Sequence, residues 1–258
     1  MSAVLLQDLS RGVLELTLNR PAKKNAIDNP LWMALGDAFL EAAENPAVRC
    51  VLIRGAGDSF SAGVDLASFG QAEGGGEHPF ERAARAVANF DKPLVAAAHG
   101  VAVGGGATLL FHADMVYAGE SLRLRLPFAA LGLVPEWASS YMLQANIGAQ
   151  RAAELMYTAD WVPAERALAL GLVAEVLPDD ALVAHARERA ESVAQWPVSA
   201  LREIKRCMRL PHREGIEAAF RAEAAGMQRQ VGSADNIEAV TALLERRPPR
   251  FHSDDQTG

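Results

Sequence analysis

Two short segments combine residue types that could do chemistry. Phe60-Ser61-Ala62-Gly63-Val64-Asp65-Leu66 follows an apolar run ending at Arg54. Its small residues at 61 to 63 let the backbone approach a ligand and leave N–H groups unblocked. Taken by itself, the same segment also reads as an ordinary turn before a helix. Gly100-Val101-Ala102-Val103-Gly104-Gly105-Gly106-Ala107-Thr108 reads as a strand, a glycine turn and a helix whose first amides face negative charge. Those glycines equally suit close helix packing. Two amides converging from separate strand ends form an oxyanion hole, which holds charge developing on a carbonyl oxygen.

Other chemistries fit poorly. A dinucleotide fold also uses a glycine-rich strand-to-helix turn, but no G-x-G-x-x-G opens this helix and no acid ends a second strand about 20 residues on. His99 and His112 have no Cys or carboxylate at ligand spacing, so they read as packing histidines and no metal is expected. The 258 residues carry 25 Lys and Arg against 32 Asp and Glu, a net charge of −7, which gives no general pull toward phosphate backbones or anionic lipid. Neither nucleic acid nor membrane is an expected partner. Cys50 and Cys207 are the only two cysteines, too few for a disulfide framework, and with no visible export signal a reducing, cytoplasmic setting is expected.

The elements that must position these segments follow from periodicity. Residues 12–19 alternate as a half-buried strand, with 3–9 as a hairpin partner. Asp28-Asn29-Pro30 starts a helix with Leu31, Leu35, Ala38, Phe39 and Ala42 on one face. Residues 48–54 read as a buried parallel strand, completing a β-α-β unit. The stretch 70–79, with Gly70, Gly74, Gly75, Gly76 and Pro79, is a loop, followed by a helix over 80–89. From Pro93 to Ala113 there is no Asp, Glu, Lys or Arg, about the length of a membrane span. Four glycines and His99 divide it into a strand over 94–98, a turn, and a helix over 107–112, so we read it as buried core. A third strand covers 115–118. Beyond residue 139 the pattern is helical, near 139–146, 149–157, 163–170, 179–195, 197–209 and 213–245, with prolines marking several starts. The expected class is α/β, a core over residues 1–190 and a helical region over 191–258 that docks on the core or on another subunit.

Over nearly the whole chain these segments resemble the crotonase, or enoyl-CoA hydratase/isomerase, superfamily. The matches are Asn19-Arg20-Pro21 with Lys24-Asn25-Ala26-Ile27, then Phe60 to Leu66, His99 to Gly106, Pro127-Phe128 through Leu131-Gly132 to Pro135, and Ala164-Glu165-Arg166-Ala167 with Leu170-Gly171-Leu172-Val173. The resemblance implies a spiral of β-β-α turns, a C-terminal helical trimerisation region, a homotrimer or dimer of trimers, and acyl-CoA thioester substrates, coenzyme A being part of the substrate and no separate cofactor being needed. It assigns the oxyanion-hole amides to Val64 and Gly105. It places Lys23, Lys24 and Ala26 beside the pantetheine and adenosine, with Ala62, Gly63, Asp65 and Leu66 contacting the adenine end mostly through backbone.

Family hydratases carry one glutamate two residues after the glycine triplet and another after the later proline; here those positions are Thr108 and Phe128. Hydration shares its water between two carboxylates, so it is not the expected reaction. Pro135-Glu136-Trp137-Ala138-Ser139-Ser140 instead resembles the Pro-Glu-x-x-Ser-Ser segment of Δ3,Δ2-enoyl-CoA isomerases, whose single glutamate is the base. Phe128, Leu131, Val134, Trp137 and Tyr141 are expected to surround Glu136 with apolar surface. Thr108, Phe128, Leu131, Pro135 and Trp137 are expected to line the acyl pocket. Thr108 is expected to bond back into its own helix. Trp137 departs from the isomerases, where the position is commonly small, and is expected to shorten or redirect the acyl channel. Other thioester reactions of the superfamily, or acyl-CoA binding without turnover, are the alternatives.

Overall fold

The computed structural model describes residues 3–65 and 78–251. Leu66 and most of the glycine-rich stretch 70–79 therefore lie outside the described residues. The chain opens with the hairpin β1 (Leu5–Ser10) and β2 (Val13–Leu18), then α1 (Asn29–Glu44) and β3 (Cys50–Gly55). Next come α2 (Pro79–Ala88), β4 (Leu94–Ala98), β5 (Val101–Val103), α3 (Gly105–Leu110), β6 (Met115–Gly119) and β7 (Arg123–Arg125). Then follow α4 (Ser139–Ile147), α5 (Ala149–Thr158), β8 (Val162–Pro163), α6 (Ala164–Leu170) and β9 (Glu175–Leu177). The chain closes with α7 (Asp179–Ala194), α8 (Val198–Arg209), α9 (Arg213–Gln230) and α10 (Ala234–Glu245).

Among the described residues the main sheet has the order β1-β2-β3-β4-β6-β9, and a small sheet has the order β5-β7-β8. Only the β1–β2 pair of the main sheet is antiparallel; β2, β3, β4, β6 and β9 run parallel. Strand alternation sorts the buried side chains onto two faces. Leu14, Leu16, Val51, Ile53 and Ala96 join the core built with α1 and α3. Val13, Cys50, Leu52, Val95 and Ala97 meet Leu182, Ala186 and Ala190 of α7 on the other. With both faces covered, charged side chains are excluded from β4 and α3, which accounts for the uncharged stretch. Among the described residues no helix is long and apolar enough to cross a membrane.

The expectation for β2 needs correction. It is buried along its whole length rather than on one face, because β1 and β3 flank it and α7 packs over its second side. The apparent polar face is Glu15 and Thr17, and Glu15 sits between two guanidiniums, accepting from Arg54 Nε at 2.6 Å and from Arg187 Nε at 3.0 Å. The helix over 107–112 begins at Gly105 instead, and the segment 213–245 is two helices. Gly232 (φ +76°) breaks it, and Ser233 caps α10 by accepting from Asn236 N–H at 3.2 Å. Strands β7, β8 and β9 have two or three residues each and no sequence period to reveal them.

The helical region docks on the rest of the same chain. Residue 190 falls inside α7, which lies on the main sheet. Lys205 of α8 is buried and donates to Lys92 O at 2.8 Å and Asp114 Oδ2 at 2.7 Å. Helices α9 and α10 return to the segment 131–141, as described below.

Glu15 makes folding pH-dependent. Burial raises its carboxyl pKa, but the hydrogen bonds and charges of Arg54 and Arg187 outweigh this and hold it below its ordinary 4.5. A carboxyl depressed in the folded state stabilises above its unfolded pKa and loses that contribution as pH falls through the folded value. Glu15→Gln should therefore cost about 1–3 kcal/mol at neutral pH by urea denaturation. The difference from wild type should shrink as pH drops below 4.5.

Candidate active site

The site is built where the segment 61–65 threads between two other pieces of backbone. On one side, Ser61 N–H donates to Val101 O and Val103 N–H to Ser61 O, both at 3.0 Å. On the other, Ala62 N–H donates to Lys24 O at 2.8 Å, Ile27 N–H to Gly63 O at 2.7 Å and Asp65 N–H to Ile27 O at 3.0 Å. Extended backbone alternates its amides between its two edges. With Gly63 O and Asp65 N–H both given to Ile27, Val64 N–H points to the opposite edge, toward β5 and the start of α3. Neither it nor Gly105 N–H, the first amide of α3, hydrogen-bonds to any described residue.

Gly63 makes this approach possible. Its φ is +84°, and a Cβ placed on it would lie 2.4 Å from Val103 O and 3.5 Å from Gly105 N. The Gly105 amide therefore lies against the backbone at Gly63, the residue before Val64, across a contact that excludes any side chain. The packing role of the glycines is also present, at Gly106, whose Cβ would fall 2.6 Å from Ser61 O. Gly105 differs from both: its Cβ would meet Glu136 Oε1 at 3.1 Å and Trp32 Cη2 at 3.3 Å. The carboxylate singled out in the sequence and one of the two amides thus share one spot.

The lead-in to the 61–65 segment is tied by Asn25, fully buried, which donates to Ala56 O and Ser59 O at 2.8 Å and accepts from Arg20 N–H at 2.9 Å. Arg20 also donates to Ala26 O and pairs with Asp28 at 3.0 Å and Asp65 at 2.9 Å. The side chains of Lys23 and Lys24 remain exposed next to this knot.

Glu136 itself sits in an unusual turn. Trp137 (φ +61°) and Ala138 (φ +53°) are consecutive non-glycine residues in the left-handed region, each costing on the order of 1–3 kcal/mol. Several contacts hold them there. The Trp137 indole donates to Ala84 O at 2.9 Å, and its ring meets Trp32 and Phe80 edge-on at 5.5 and 5.9 Å. His112 Nε2 donates to Trp137 O at 2.7 Å. Burial pushes the His112 pKa down to about 3, so the ring is neutral, and the carbonyl fixes its proton on Nε2. From α9, the buried Glu223 accepts Ala138 N–H at 2.7 Å and Ser140 N–H at 2.8 Å. Burial, and then the charge of Glu223, push the Glu136 carboxyl up to about 8.

Of the expected pocket residues, Trp137 lies in the core, against Trp32 and α2. Thr108 is buried, its hydroxyl 3.4 Å from Gly105 O, bonded back into its own helix as expected. Phe128 is buried and opens the short 3-10 turn Ala129–Leu131, and Leu131 O accepts from Asn236 Nδ2 at 2.8 Å. Pro135 is half-buried. Val134 and Tyr141, expected around Glu136, pack on α9 at Gly226 and Gly215. The apolar wall beside Gly105 is instead Trp32, which the sequence does not single out, and Trp32 meets Phe80 at 5.2 Å. His112 and Glu223 were likewise not recognised as neighbours of the site. Nothing local marks them, since they lie 24 and 87 residues from Glu136 along the chain.

Comparison with known proteins matches this architecture. The sequence model of the enoyl-CoA hydratase/isomerase family fits residues 8–254. The 1,2-epoxyphenylacetyl-CoA isomerase of Escherichia coli K12 is 32% identical over 97% of this chain and 99% of its own length. Enoyl-CoA delta isomerase 2 of Rattus norvegicus is 33% identical over 92% of this chain and 62% of its own. The crystal structure of an enoyl-CoA hydratase/isomerase from Pseudoalteromonas atlantica T6c superimposes with a TM-score of 0.94 at 38% identity, covering 96% of this chain and all of that one. The chain belongs to the enoyl-CoA hydratase/isomerase family and has its crotonase fold.

The close approach at Gly63 is testable by stability. Gly63→Ala combines a positive φ with overlap on a carbonyl and should cost about 2 kcal/mol or more in chemical denaturation. Gly105→Ala, which meets the mobile end of a carboxylate, should cost clearly less in the same measurement.

Proposed function

We propose that this protein is a Δ3,Δ2-enoyl-CoA isomerase, moving the double bond of a 3-enoyl-CoA to the 2 position with Glu136 as the shuttling base. The observation that carries this reading is Glu136 Oε1 lying against Gly105. In the reaction, the Glu136 carboxylate removes a proton from Cα of the thioester. The electron pair moves through the carbonyl to its oxygen, and the resulting dienolate is held by Val64 N–H and Gly105 N–H. Glu136, now protonated, returns the proton to Cγ, and the conjugated 2-enoyl thioester forms. Withdrawing one such amide costs about 10²- to 10³-fold in rate. Lys23 and Lys24 supply the local positive charge for coenzyme A, with the backbone of Ala26, Ala62, Gly63 and Asp65 against its nucleotide end. Thr108, Phe128, Leu131 and Pro135 line the acyl side.

Relatives of this chain bear isomerase, hydratase and dehydratase names, so the reaction has to be argued from the site. Hydration needs a second carboxylate to handle the water. Positions 108 and 128 offer none, and both oxygens of Glu223 are occupied by Ala138 N–H and Ser140 N–H. A single base raised to about 8 suits a step in which the same group takes up and releases a proton near neutral pH. The exposed apolar side chains Trp196, Ile204, Met208, Leu210 and Leu244 of the helical region support assembly with further copies of the chain as a trimer or paired trimers. Light scattering on a size-exclusion column checks this, and a monomer would refute it.

A series of 3-enoyl-CoA thioesters followed by conjugated-product absorbance tests the reaction. Glu136→Gln should fold and bind acyl-CoA normally and lose about 10²- to 10⁴-fold in kcat. A base must be deprotonated to act, so wild-type kcat should rise with pH through a limb centred at about 8. Full activity in Glu136→Gln, or binding by the wild type without turnover of any thioester, would sink the reading.

A further inference from the structure

We propose that Glu223, on the C-terminal helix α9, is a positioning residue for Glu136: it locks the left-handed turn at 137–138 and sets the proton affinity of the base across that turn. This deepens, and in its kinetic part rests on, the isomerase reading.

The geometry is a two-point clamp. One oxygen of Glu223 takes Ala138 N–H at 2.7 Å and the other takes Ser140 N–H at 2.8 Å. These amides lie at the N-terminal edge of α4, where they have no intrahelical partner and where a negative charge is favoured. The residue before each end of the clamp matters. Glu136 precedes two consecutive residues at φ +61° and +53°, and a relaxation of either would swing its carboxyl away from Gly105. The Glu136 carbonyl accepts from Ser139 N–H at 3.0 Å, but its carboxyl has no hydrogen bond to a described residue; the direction of the carboxyl comes from the backbone that follows it. That backbone is gripped by His112 at Trp137 O, by Ala84 at the Trp137 indole, and by Glu223 at Ala138 and Ser140. Of these three, only Glu223 brings a charge.

On the surrounding elements, α9 carries Arg213, Glu214, Glu217, Arg221, Glu223 and Arg229, α2 carries Glu81, Arg82 and Arg85, His112 follows α3, Tyr141 is on α4 and His212 precedes α9. Arg85 is paired with Glu217 at 3.4 Å, Tyr141 with His212 at 3.0 Å, and His112 is neutral. Glu223 is the one whose charge acts on Glu136. Burial raises Glu223 as well, while the Ser140 side chain and the Ser140 and Ala138 amides, which bond its ionised form, oppose that rise. The ionised Glu223 then disfavours a second negative charge nearby, which makes Glu136 a stronger base than its burial alone would.

The test is Glu223→Gln, which keeps the shape, removes the charge, and offers only one acceptor oxygen for the two amides. Plateau kcat on a 3-enoyl-CoA should fall about 10- to 100-fold with KM changed little. The acid limb should move to lower pH by about half a unit or more. Adding Ala138→Gly, which makes the left-handed conformation easy, should restore part of kcat and leave the limb shifted. The same shift should appear without substrate, as the carboxyl stretching band that titrates near 8 in the wild type and is missing in Glu136→Gln, followed by infrared difference spectroscopy. An unmoved band together with kcat within twofold of wild type would overturn the proposal. If the wild type turns over no 3-enoyl-CoA, the isomerase reading fails and the infrared band still decides the role of Glu223. Should Glu223→Gln fail to fold, the double variant with Ala138→Gly carries the same two readouts.

Discussion

Gly63 lies so close to the carbonyl of Val103 that no side chain fits between them, and the rest of the site is arranged around that contact. It brings the 61–65 segment against β5 on one edge while Ile27 occupies the other, and it leaves Val64 N–H and Gly105 N–H with nothing of the described protein to bond. Backbone amides without partners are uncommon away from water. Two of them are left here, and the carboxyl of Glu136 lies against one, at Gly105. The sheet serves this contact: β3 and β4 are buried on both faces, so the loops leaving their ends are held on a rigid support.

The same site concentrates unfavourable features. A half-buried carboxyl has its pKa pushed up to about 8, two non-glycine residues adopt left-handed backbone, and a second acid is buried behind them. Each would be selected against in a merely structural region. They persist because the aromatic group of Trp32, Phe80 and Trp137, together with His112 and Glu223, over-determines the turn. A chain of net charge −7 thereby keeps its most consequential negative charges inside rather than on its surface.

Much of the frame was legible because its signals are local. The Asp28-Asn29-Pro30 cap, the apolar face of α1 and the β-branched run of β3 each follow from a few adjacent residues. The half-buried pattern of β2 misled for a physical reason: alternation reports polarity, and Glu15 is polar yet buried between Arg54 and Arg187, the latter 172 residues away. Strands β7, β8 and β9 are too short to show a period. Val64, Gly105 and Glu136 were singled out through motif order and spacing, and the structure sets Glu136 Oε1 against Gly105. Trp32, His112 and Glu223 carry no such mark, since a Trp on a helix face, a His in an apolar stretch and a Glu in a polar helix are each ordinary where they stand.

The sequence by itself determined the succession of elements, the absence of a second carboxylate at positions 108 and 128, and which glycines could serve a tight backbone contact, because these depend on residue type and neighbouring residues. Only the tertiary structure decided which of those glycines faces the carboxylate, that Trp137 turns into the core, and that α9 returns to clamp the turn behind Glu136. Those outcomes depend on which distant segments share one volume, and on the desolvation and charge coupling that follow from sharing it.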